Sequence, residues 1–257
     1  MKRFLPIPIL IAIIALQLFL CSLVPKHHTW TLLHANAANT ACSGSGTTCT
    51  ITVASTTSGN QLVAVAWTPT STTGKNLSAA GSGGTWVFPA NCAAFNNAST
   101  GEVSCGYTLS ATGGVTSIVL TVAATPSGTW AALIYEYHSS AGGVAVETVP
   151  AGTSTGAGTC STACTAPNVT LAGSADVVIG AIATGNTACS VSSPYGDFTA
   201  PQGDGFADNL NTSSGTGANF TQGTACPTAA AARAAAISIA FSESSGAAHP
   251  NMPPAIY

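Results

Sequence analysis

Two long apolar runs give the strongest structural signal along this chain. Residues 61–67 (QLVAVAW) and 176–182 (DVVIGAI) are nearly continuous in apolar and β-branched residues, which is typical of strands buried on both faces. Residues 115–122, 130–137 and 237–241 show alternation between apolar and polar positions or a high aromatic content, so they are also predicted to be strands. Clusters of Gly, Ser, Pro and Asn separate these runs and predict turns.

Weaker strand patterns and one ambiguous segment complete the prediction of elements. The shorter strand candidates are residues 49–53, 86–88, 103–109, 144–148 and 168–171. The alanine-rich run 229–236 has high helix propensity, but an isolated helix of this length is marginal and the run continues into residues 237–241. We therefore predict strand for its second half, with a short helical turn before it as the alternative. No amphipathic helix is predicted after position 38.

These elements predict an all-β fold, an antiparallel two-sheet β-sandwich of the jelly-roll type. A faint internal echo supports it, since residues 59–65 are similar to residues 174–180 and each segment precedes a later apolar strand, ending at Tyr137 and Phe241. Two similar halves fit a jelly roll made of two Greek keys. We expect one domain at 39–243 and a disordered tail at 244–257, which lacks periodicity and contains three prolines.

The N-terminus has the features of an export signal. A basic start (Met1–Arg3) precedes an apolar run over residues 4–24, and residues 35–37 (Ala-Asn-Ala) form a small-x-small cleavage motif. We predict that residues 1–37 are a signal peptide or, alternatively, a retained helical anchor, because the run approaches the roughly 20 residues that span a bilayer. Either way the remaining chain is expected to be secreted or at the cell surface.

Charge excludes several classes of partner. Only 5% of the residues are charged, against roughly 25% in an ordinary soluble domain. After position 37, Lys75 and Arg233 are the only cations beside eight carboxylates. Nucleic acids and anionic lipids are therefore not expected partners, and contact with a membrane is expected only through the N-terminal segment. A surface of hydroxyl and amide groups should also respond little to salt.

The cysteines predict a disulfide framework. Without Cys21 their number is even, as expected for an exported chain with structural disulfides. Their spacing favours sequential pairs among the 105 possible connectivities. The expected pairs are Cys42–Cys49, Cys92–Cys105, Cys160–Cys164 and Cys189–Cys226. A zinc site at residues 160–164 lacks a second pair of ligands, so no metal is predicted.

Four segments carry a resemblance to a known group of proteins. The runs GNQLVAVAWT, WAALIYEYHSSAGG, ADVVIGAIAT and AISIAF resemble secreted bacterial jelly-roll or immunoglobulin-like β-sandwich domains of unassigned function. Glu136 and Tyr137 match a Glu-Tyr-Ser-Gly strand end in that group, whereas His138 and the eight cysteines depart from it. The resemblance implies a secreted or surface sandwich without a defined reaction.

Candidate catalytic residues are few. A hydrolytic triad requires a histidine, and we interpret His138 as a residue at a surface edge, while His249 lies in the tail. A glycosidase requires two carboxylates on one groove, for which the candidates are Glu102, Glu136 and Glu147, and we interpret Glu136 as a hydrogen-bonded structural residue. Residues 204–209 cluster oxygen ligands without the spacing of an EF-hand, and we interpret them as a polar turn. No catalytic residue, cofactor or metal is predicted.

Aromatic residues leave one candidate for ligand binding. The rings of Trp and Tyr can stack on the apolar faces of sugars. Trp67, Trp130 and Tyr135 lie within strand patterns and are predicted to be core, whereas Trp86 and Tyr195 lie in loop-rich stretches. We predict an exported non-enzymatic protein with a structural or adhesive role, whose partners are polysaccharides or other surface proteins. The alternatives are a carbohydrate-binding module with Trp86 and Tyr195 in its site, and a concanavalin-like glycoside hydrolase.

Overall fold

The computed structural model describes residues 29–35, 40–42, 46–69, 73–96, 101–140, 144–147, 149, 152–160, 163–173, 175–184, 187–199, 204–225, 228–229 and 232–243. Every regular element in these ranges is a β-strand, and every strand pairing is antiparallel. This confirms the predicted all-β antiparallel class. The expected N-terminal helix and the tail at 244–257 lie outside the described residues. Within the described ranges, no helix is long and apolar enough to cross a membrane.

Nine strands make up the N-terminal half. They are β1 (Trp30–Ala35), β2 (Thr40–Cys42), β3 (Thr48–Thr52), β4 (Gln61–Thr68), β5 (Leu77–Ala80), β6 (Ala93–Asn96), β7 (Gly101–Thr108), β8 (Ser117–Val122) and β9 (Trp130–Ser139). The inner N-terminal sheet has the order β1-β9-β4-β7-β6, and β2 also pairs with β9. The outer N-terminal sheet has the order β3-β8-β5.

Ten strands make up the C-terminal half. They are β10 (Val144–Val146), β11 (Thr153–Cys160), β12 (Ala163–Thr165), β13 (Asp176–Thr184), β14 (Thr187–Val191), β15 (Gly196–Thr199), β16 (Gly205–Thr212), β17 (Asn219–Ala225), β18 (Thr228–Ala229) and β19 (Ala232–Glu243). The inner C-terminal sheet has the order β10-β19-β13-β16-β15, with β11 also on β19. The outer C-terminal sheet has the order β12-β17-β14, with β18 on β17.

The two halves are built on the same plan. Reading along the chain, β1 to β9 correspond in order to β10 to β17 and β19, and each corresponding strand has the same neighbours in its sheet. The strand registers agree with this match. Val63 is opposite both Tyr107 and Tyr135 in the N-terminal half, and Ile179 is opposite both Asp208 and Ile239 in the C-terminal half. The faint echo in the sequence therefore corresponds to a repeated architecture.

The sheets stack in four layers around three clusters of buried residues. The central cluster lies between the two inner sheets and includes Val63 and Trp67 of β4 and Ile179 of β13. The other two clusters each lie between an inner sheet and its outer sheet, as Ala64 of β4 and Val178 of β13 illustrate. All residues of β4 and β13 are buried, because each inner sheet is covered on both faces.

This layering differs from the predicted two-sheet sandwich. In a two-sheet sandwich each strand keeps one face towards water, so its sequence alternates between apolar and polar residues. The continuous apolar runs at 61–67 and 176–182 instead belong to inner sheets, which need apolar residues on both faces. The described residues form four sheets because the two halves bury a shared core between them.

Strand β1 extends the fold ahead of the expected start at position 39. Trp30, the first residue of β1, has its side chain buried in the central cluster, and the backbone of β1 pairs with β9. The side chain of Asn211 in β16 makes two hydrogen bonds to the backbone of Trp30. The Trp30 amide donates to Asn211 Oδ1 over 2.6 Å, and Asn211 Nδ2 donates to the Trp30 carbonyl over 3.1 Å. Residues 30–35 lie within the segment predicted as a signal peptide, so cleavage after Ala37 would remove a strand of the inner sheet.

Three local predictions need correction, and one is confirmed. Residues 168–171 form no strand, and the backbone amide of Val169 instead donates a hydrogen bond to the Gly215 carbonyl. Residues 86–88 make only an isolated bridge, from Val87 to Tyr107. Residues 205–209 belong to β16 and are not a turn, because consecutive side chains there are buried, with Phe206 in the central cluster and Ala207 in the outer C-terminal one. The strand predicted for the second half of the alanine-rich run is confirmed by β19.

The disulfides follow the sequential pattern where both partners are described. Cys42 bonds to Cys49 and Cys92 bonds to Cys105, which confirms these two pairs. Cys164 is also disulfide-bonded, and it lies in β12, the strand that corresponds to the Cys49 strand β3. The side chains of Cys160, Cys189 and Cys226 lie outside the described residues, so the last two pairs stay predictions.

Candidate functional site

A polar cleft lies at the end of the inner N-terminal sheet where β10 of the other half approaches it. Its volume is about 320 Å³, at the lower end of the range for small-molecule pockets. We call it the Gln61 cleft. Its lining consists of Ser58, Gly59, Asn60, Gln61, Leu109, Ser110, His138, Ser139 and Val144.

A hydrogen-bonded chain of three side chains runs from the core to this cleft. Oε1 of the buried Glu136 accepts a bond from the Asn60 amide group, with Nδ2 at 2.6 Å, and a second from the backbone amide of Thr57 at 2.8 Å. Asn60 Oδ1 lies 3.0 Å from Nδ1 of His138, whose ring is exposed. The turn at residues 58–59 brings Thr57 and Asn60 to Glu136. Its φ of 86° at Gly59 is a conformation that residues other than glycine disfavour.

This chain orients the imidazole of His138. Because Nδ2 of Asn60 donates to a carboxyl oxygen, Oδ1 is the amide atom that faces the ring, and it can only accept. Nδ1 of His138 therefore carries the hydrogen, and in the neutral ring Nε2 is left with a lone pair. Glu136 is hydrogen-bonded and buried as the sequence predicted, and His138 lies at the surface end of β9 as predicted.

Gln61 is the unusual member of the lining. Its side chain is completely buried, yet neither Nε2 nor Oε1 has a hydrogen-bond partner. A buried polar group without a partner costs about 1–3 kcal/mol. Oε2 of Glu136 is likewise buried and without a partner. Such groups are uncommon in native proteins, and here two of them lie at one end of β4 and β9.

The corresponding place in the C-terminal half is apolar. Gln61 is opposite Tyr137 in the N-terminal half, and Val177 is opposite Phe241 in the C-terminal half. The next pairs are Leu62 with Glu136 and Val178 with Ala240. Valine and alanine therefore stand where the N-terminal half has Gln61 and Glu136. The architecture does not require polar groups at these two positions.

A second cleft of about 240 Å³ lies in the C-terminal half. We call it the Tyr195 cleft. The exposed surface of its lining is mainly apolar, although many of the lining residues carry hydroxyl or amide groups: Thr165, Ser192, Ser193, Asn209, Ser214, Thr216 and Asn219. Tyr195 was predicted to be exposed, but it is buried against the outer C-terminal core, and its hydroxyl donates to the Thr216 carbonyl at 2.6 Å. The prediction failed because a loop-rich sequence does not show that the loop folds back onto the core.

Trp86 lies elsewhere, against the core of the N-terminal half. It is half-buried, it packs nearly parallel to Phe88 with 6.2 Å between ring centroids, and its indole Nε1 donates to the Ser82 carbonyl at 2.6 Å. Trp86 and Tyr195 belong to different core clusters. The structure therefore does not bring the two predicted stacking residues into one site. Trp67, Trp130 and Tyr135 are core residues as predicted.

Two of the three candidate glutamates, Glu102 and Glu136, do not share a groove. Glu102 is opposite Thr68 and Glu136 is opposite Leu62, at the two ends of β4. Six residues of strand separate these pairs, which is about 20 Å, whereas glycosidase carboxylates lie about 5–9.5 Å apart. Glu147 lies in the C-terminal half and accepts a bond from the Ala172 amide. Glu102 and Glu136 therefore do not form the paired site that the glycoside hydrolase alternative requires.

Several carboxyl groups are withdrawn from solvent, and burial raises their pKa. Burial raises the pKa of Asp208 to about 7, although the hydrogen bond from Tyr137 opposes the change. Burial likewise raises the pKa of Asp204 to about 8, against the bond that its Oδ1 accepts from the Thr184 amide. The pKa of Glu102 and that of Asp176 are also raised by burial. No group of three or more His, Cys, Asp or Glu side chains suited to a metal occurs among the described residues.

Asn60 and Gln61 were not identified from the sequence. They directly precede the most apolar strand of the chain, where polar residues are ordinarily read as part of a turn. The signal available was that Gln61 extends the alternation of Val63, Val65 and Trp67, which places its side chain on a core-facing position. Comparisons with protein-family models, with curated proteins and with solved structures found no match to this chain.

Proposed function

We propose that this chain is an exported, non-enzymatic β-sandwich protein with a structural or adhesive role at the cell surface or outside the cell. The observation that carries the proposal is the location of its few ionisable groups. Glu102, Glu136, Asp176 and Asp208 are buried, and the side chain of Lys75 is half-buried. Among the described residues, the exposed side chains are consequently mainly hydroxyl, amide and small apolar groups, with Asp197 as an exposed carboxylate.

A neutral surface of this kind makes contacts that do not depend on charge. Association through hydrogen bonds and apolar packing is little affected by salt, since screening acts on charges. The two described disulfides support an oxidising compartment, in keeping with the basic and apolar N-terminal sequence. The shared core between the halves favours a rigid unit that could resist unfolding at an exposed surface.

The test uses the full-length chain, exported by its host and purified under oxidising conditions. Retention on insoluble neutral polysaccharides and self-association by light scattering are measured at low and high salt. Retention or self-association that persists at high salt supports the proposal. Hydrolysis of a polysaccharide or an ester at an enzyme-like rate contradicts it, and so does the absence of both retention and self-association.

A carbohydrate-binding module is the second candidate. It is favoured by the mainly apolar Tyr195 cleft, which serine, threonine and asparagine residues also line, and by the half-buried Trp86–Phe88 pair. It predicts that a soluble sugar competes with retention on a polysaccharide. Trp86→Ala distinguishes the Trp86–Phe88 pair from the Tyr195 cleft. Loss of binding with retained folding would place the ligand at Trp86, whereas unchanged binding would exclude Trp86 from the site.

A further inference from the structure

The buried carboxamide of Gln61 is the feature of this structure that points to a binding site. A carboxamide offers an NH2 donor group and an acceptor oxygen side by side. In Gln61 both atoms are buried without protein partners, in a residue that lines the cleft. Leaving them unpaired lowers stability. A ligand that bonds to both atoms would recover this free energy on binding.

The groups around Gln61 indicate the chemistry of such a ligand. His138 presents Nε2 as an acceptor when its ring is neutral, because Nδ1 is bonded to Asn60. The exposed serines Ser58 and Ser110 line the same cleft, as does Ser139, whose hydroxyl donates to Glu243 over 2.8 Å. Leu109 and Val144 add apolar surface. No Lys or Arg belongs to this described lining, and the carboxyl group of Glu136 behind it disfavours an anionic ligand.

The C-terminal half provides an internal comparison for the same positions. Val177 and Ala240 occupy the places that correspond to Gln61 and Glu136, and both are fully buried. Because the same architecture is built there with apolar residues, the fold does not require polar side chains at these two positions. Their presence in one half only points to a role in binding.

We infer that the Gln61 cleft binds a neutral polyhydroxylated ligand, namely one sugar residue of a glycan. On binding, the buried Gln61 amide turns towards the cleft, where two adjacent sugar hydroxyls match its donor and acceptor. A third hydroxyl donates to Nε2 of His138, and the C–H groups of the ring pack on Leu109 and Val144. The inference rests on the proposed adhesive function and gives it a site and a ligand class.

The experiment measures binding of soluble glycosides to the full-length chain by ligand-observed NMR and calorimetry. The probes are methyl glycosides of the common neutral hexoses and N-acetylhexosamines, with methyl glucuronide and methyl glucosaminide as anionic and cationic comparators. The variants are Gln61→Leu, His138→Ala and His138→Gln. Ser192→Ala is the matched control, since Ser192 is an exposed serine of the Tyr195 cleft.

The expected result is that a neutral glycoside binds and the charged comparators do not. Gln61→Leu should lower the affinity about tenfold or more while the melting temperature stays the same or rises, because an unpartnered amide is removed. His138→Ala should lower the affinity several-fold, and His138→Gln should restore part of it. Ser192→Ala should leave binding unchanged.

Several results would overturn the inference. One is that no neutral glycoside binds, and another is that Gln61→Leu and His138→Ala bind as the unmodified chain does. Loss of binding in Ser192→Ala would move the site to the Tyr195 cleft. A large fall in the stability of Gln61→Leu would show that Gln61 is structural. The variants of His138, whose side chain is exposed, would then show whether the cleft binds the glycoside. Salt-resistant retention or self-association without glycoside binding would leave the proposed function intact.

Discussion

The hydroxyl group of Tyr137 donates a hydrogen bond to Oδ2 of Asp208 over 2.8 Å, and this bond joins β9 of one half to β16 of the other within the shared core. At the corresponding place Tyr107 of β7 packs edge-on against Phe241 of β19, with ring centroids 5.4 Å apart. One contact between the halves is therefore aromatic and its counterpart is polar. The polar one makes the interface between the halves sensitive to pH.

We predict that the free energy of unfolding falls as pH rises from about 4 to about 8. The folded-state pKa of Asp208 is about 7 and that of Asp204 about 8, both above the value of about 3.9 in an unfolded chain. The folded state therefore favours the protonated acids, and stability is greatest below pH 4 and declines until both groups are ionised. Urea denaturation at pH 5 and pH 8 measures the difference. A stability that rises over this range would contradict the prediction.

Asp208→Asn should remove part of this dependence. The amide is neutral at every pH and can still accept the bond from Tyr137, so the variant should match the unmodified chain near pH 4 and exceed it at pH 8. The gain at pH 8 should be on the order of a few kcal/mol, measured by the same denaturation series. An equal loss of stability at both pH values would show that packing, and not ionisation, dominates at this position.

Tyr137→Phe should destabilise the fold by about 1–3 kcal/mol, because it leaves the Asp208 carboxyl group buried without its donor. The matched control is Tyr107→Phe, which keeps an aromatic ring at the corresponding contact with Phe241 and should change stability by less than about 0.5 kcal/mol. Chemical denaturation compares the two variants. Equal effects from both would argue against the polar bond as the cause.

Trp30→Ala should cost about 3–5 kcal/mol, because its side chain fills the central core from β1. The control is Leu33→Ala on the same strand, whose side chain is 40% exposed and whose removal should cost little.

We also expect the exported chain to retain residues 30–35. Intact mass and N-terminal sequencing check this, and a stable product that begins at position 38 would contradict it.

Removing the Cys92–Cys105 bond should cost more than removing Cys42–Cys49. The two bonds span 13 and 7 residues, and the chain-entropy model assigns about 0.5 kcal/mol more stabilisation to the longer loop. Paired alanine variants avoid burying a new hydroxyl group, and thermal denaturation ranks them. The opposite order would indicate that strain or packing outweighs loop entropy here.

The sequence by itself determined the all-β class and the most apolar strands, because the apolar runs and the turn clusters are local features. It did not show the shorter strands with few apolar residues, such as β5, β6, β14 and β15. The predicted segments at 61–67, 130–137 and 176–182 lie within β4, β9 and β13, and cysteine spacing identified both described disulfides. The burial of Trp67 and Trp130 followed from the same patterns.

Only the tertiary structure decided what covers each face and which distant residues meet. Burial on both faces of β4 was readable from its sequence, but the second sheet that covers it belongs to the other half, more than 100 residues away. The clefts also depend on tertiary structure. Asn60, His138 and Val144 meet because the start of β4, the end of β9 and the start of β10 lie side by side. Tyr195 packs onto a core that no local sequence pattern specifies. Local propensity acts over a few residues, whereas pairing and layering depend on long-range burial.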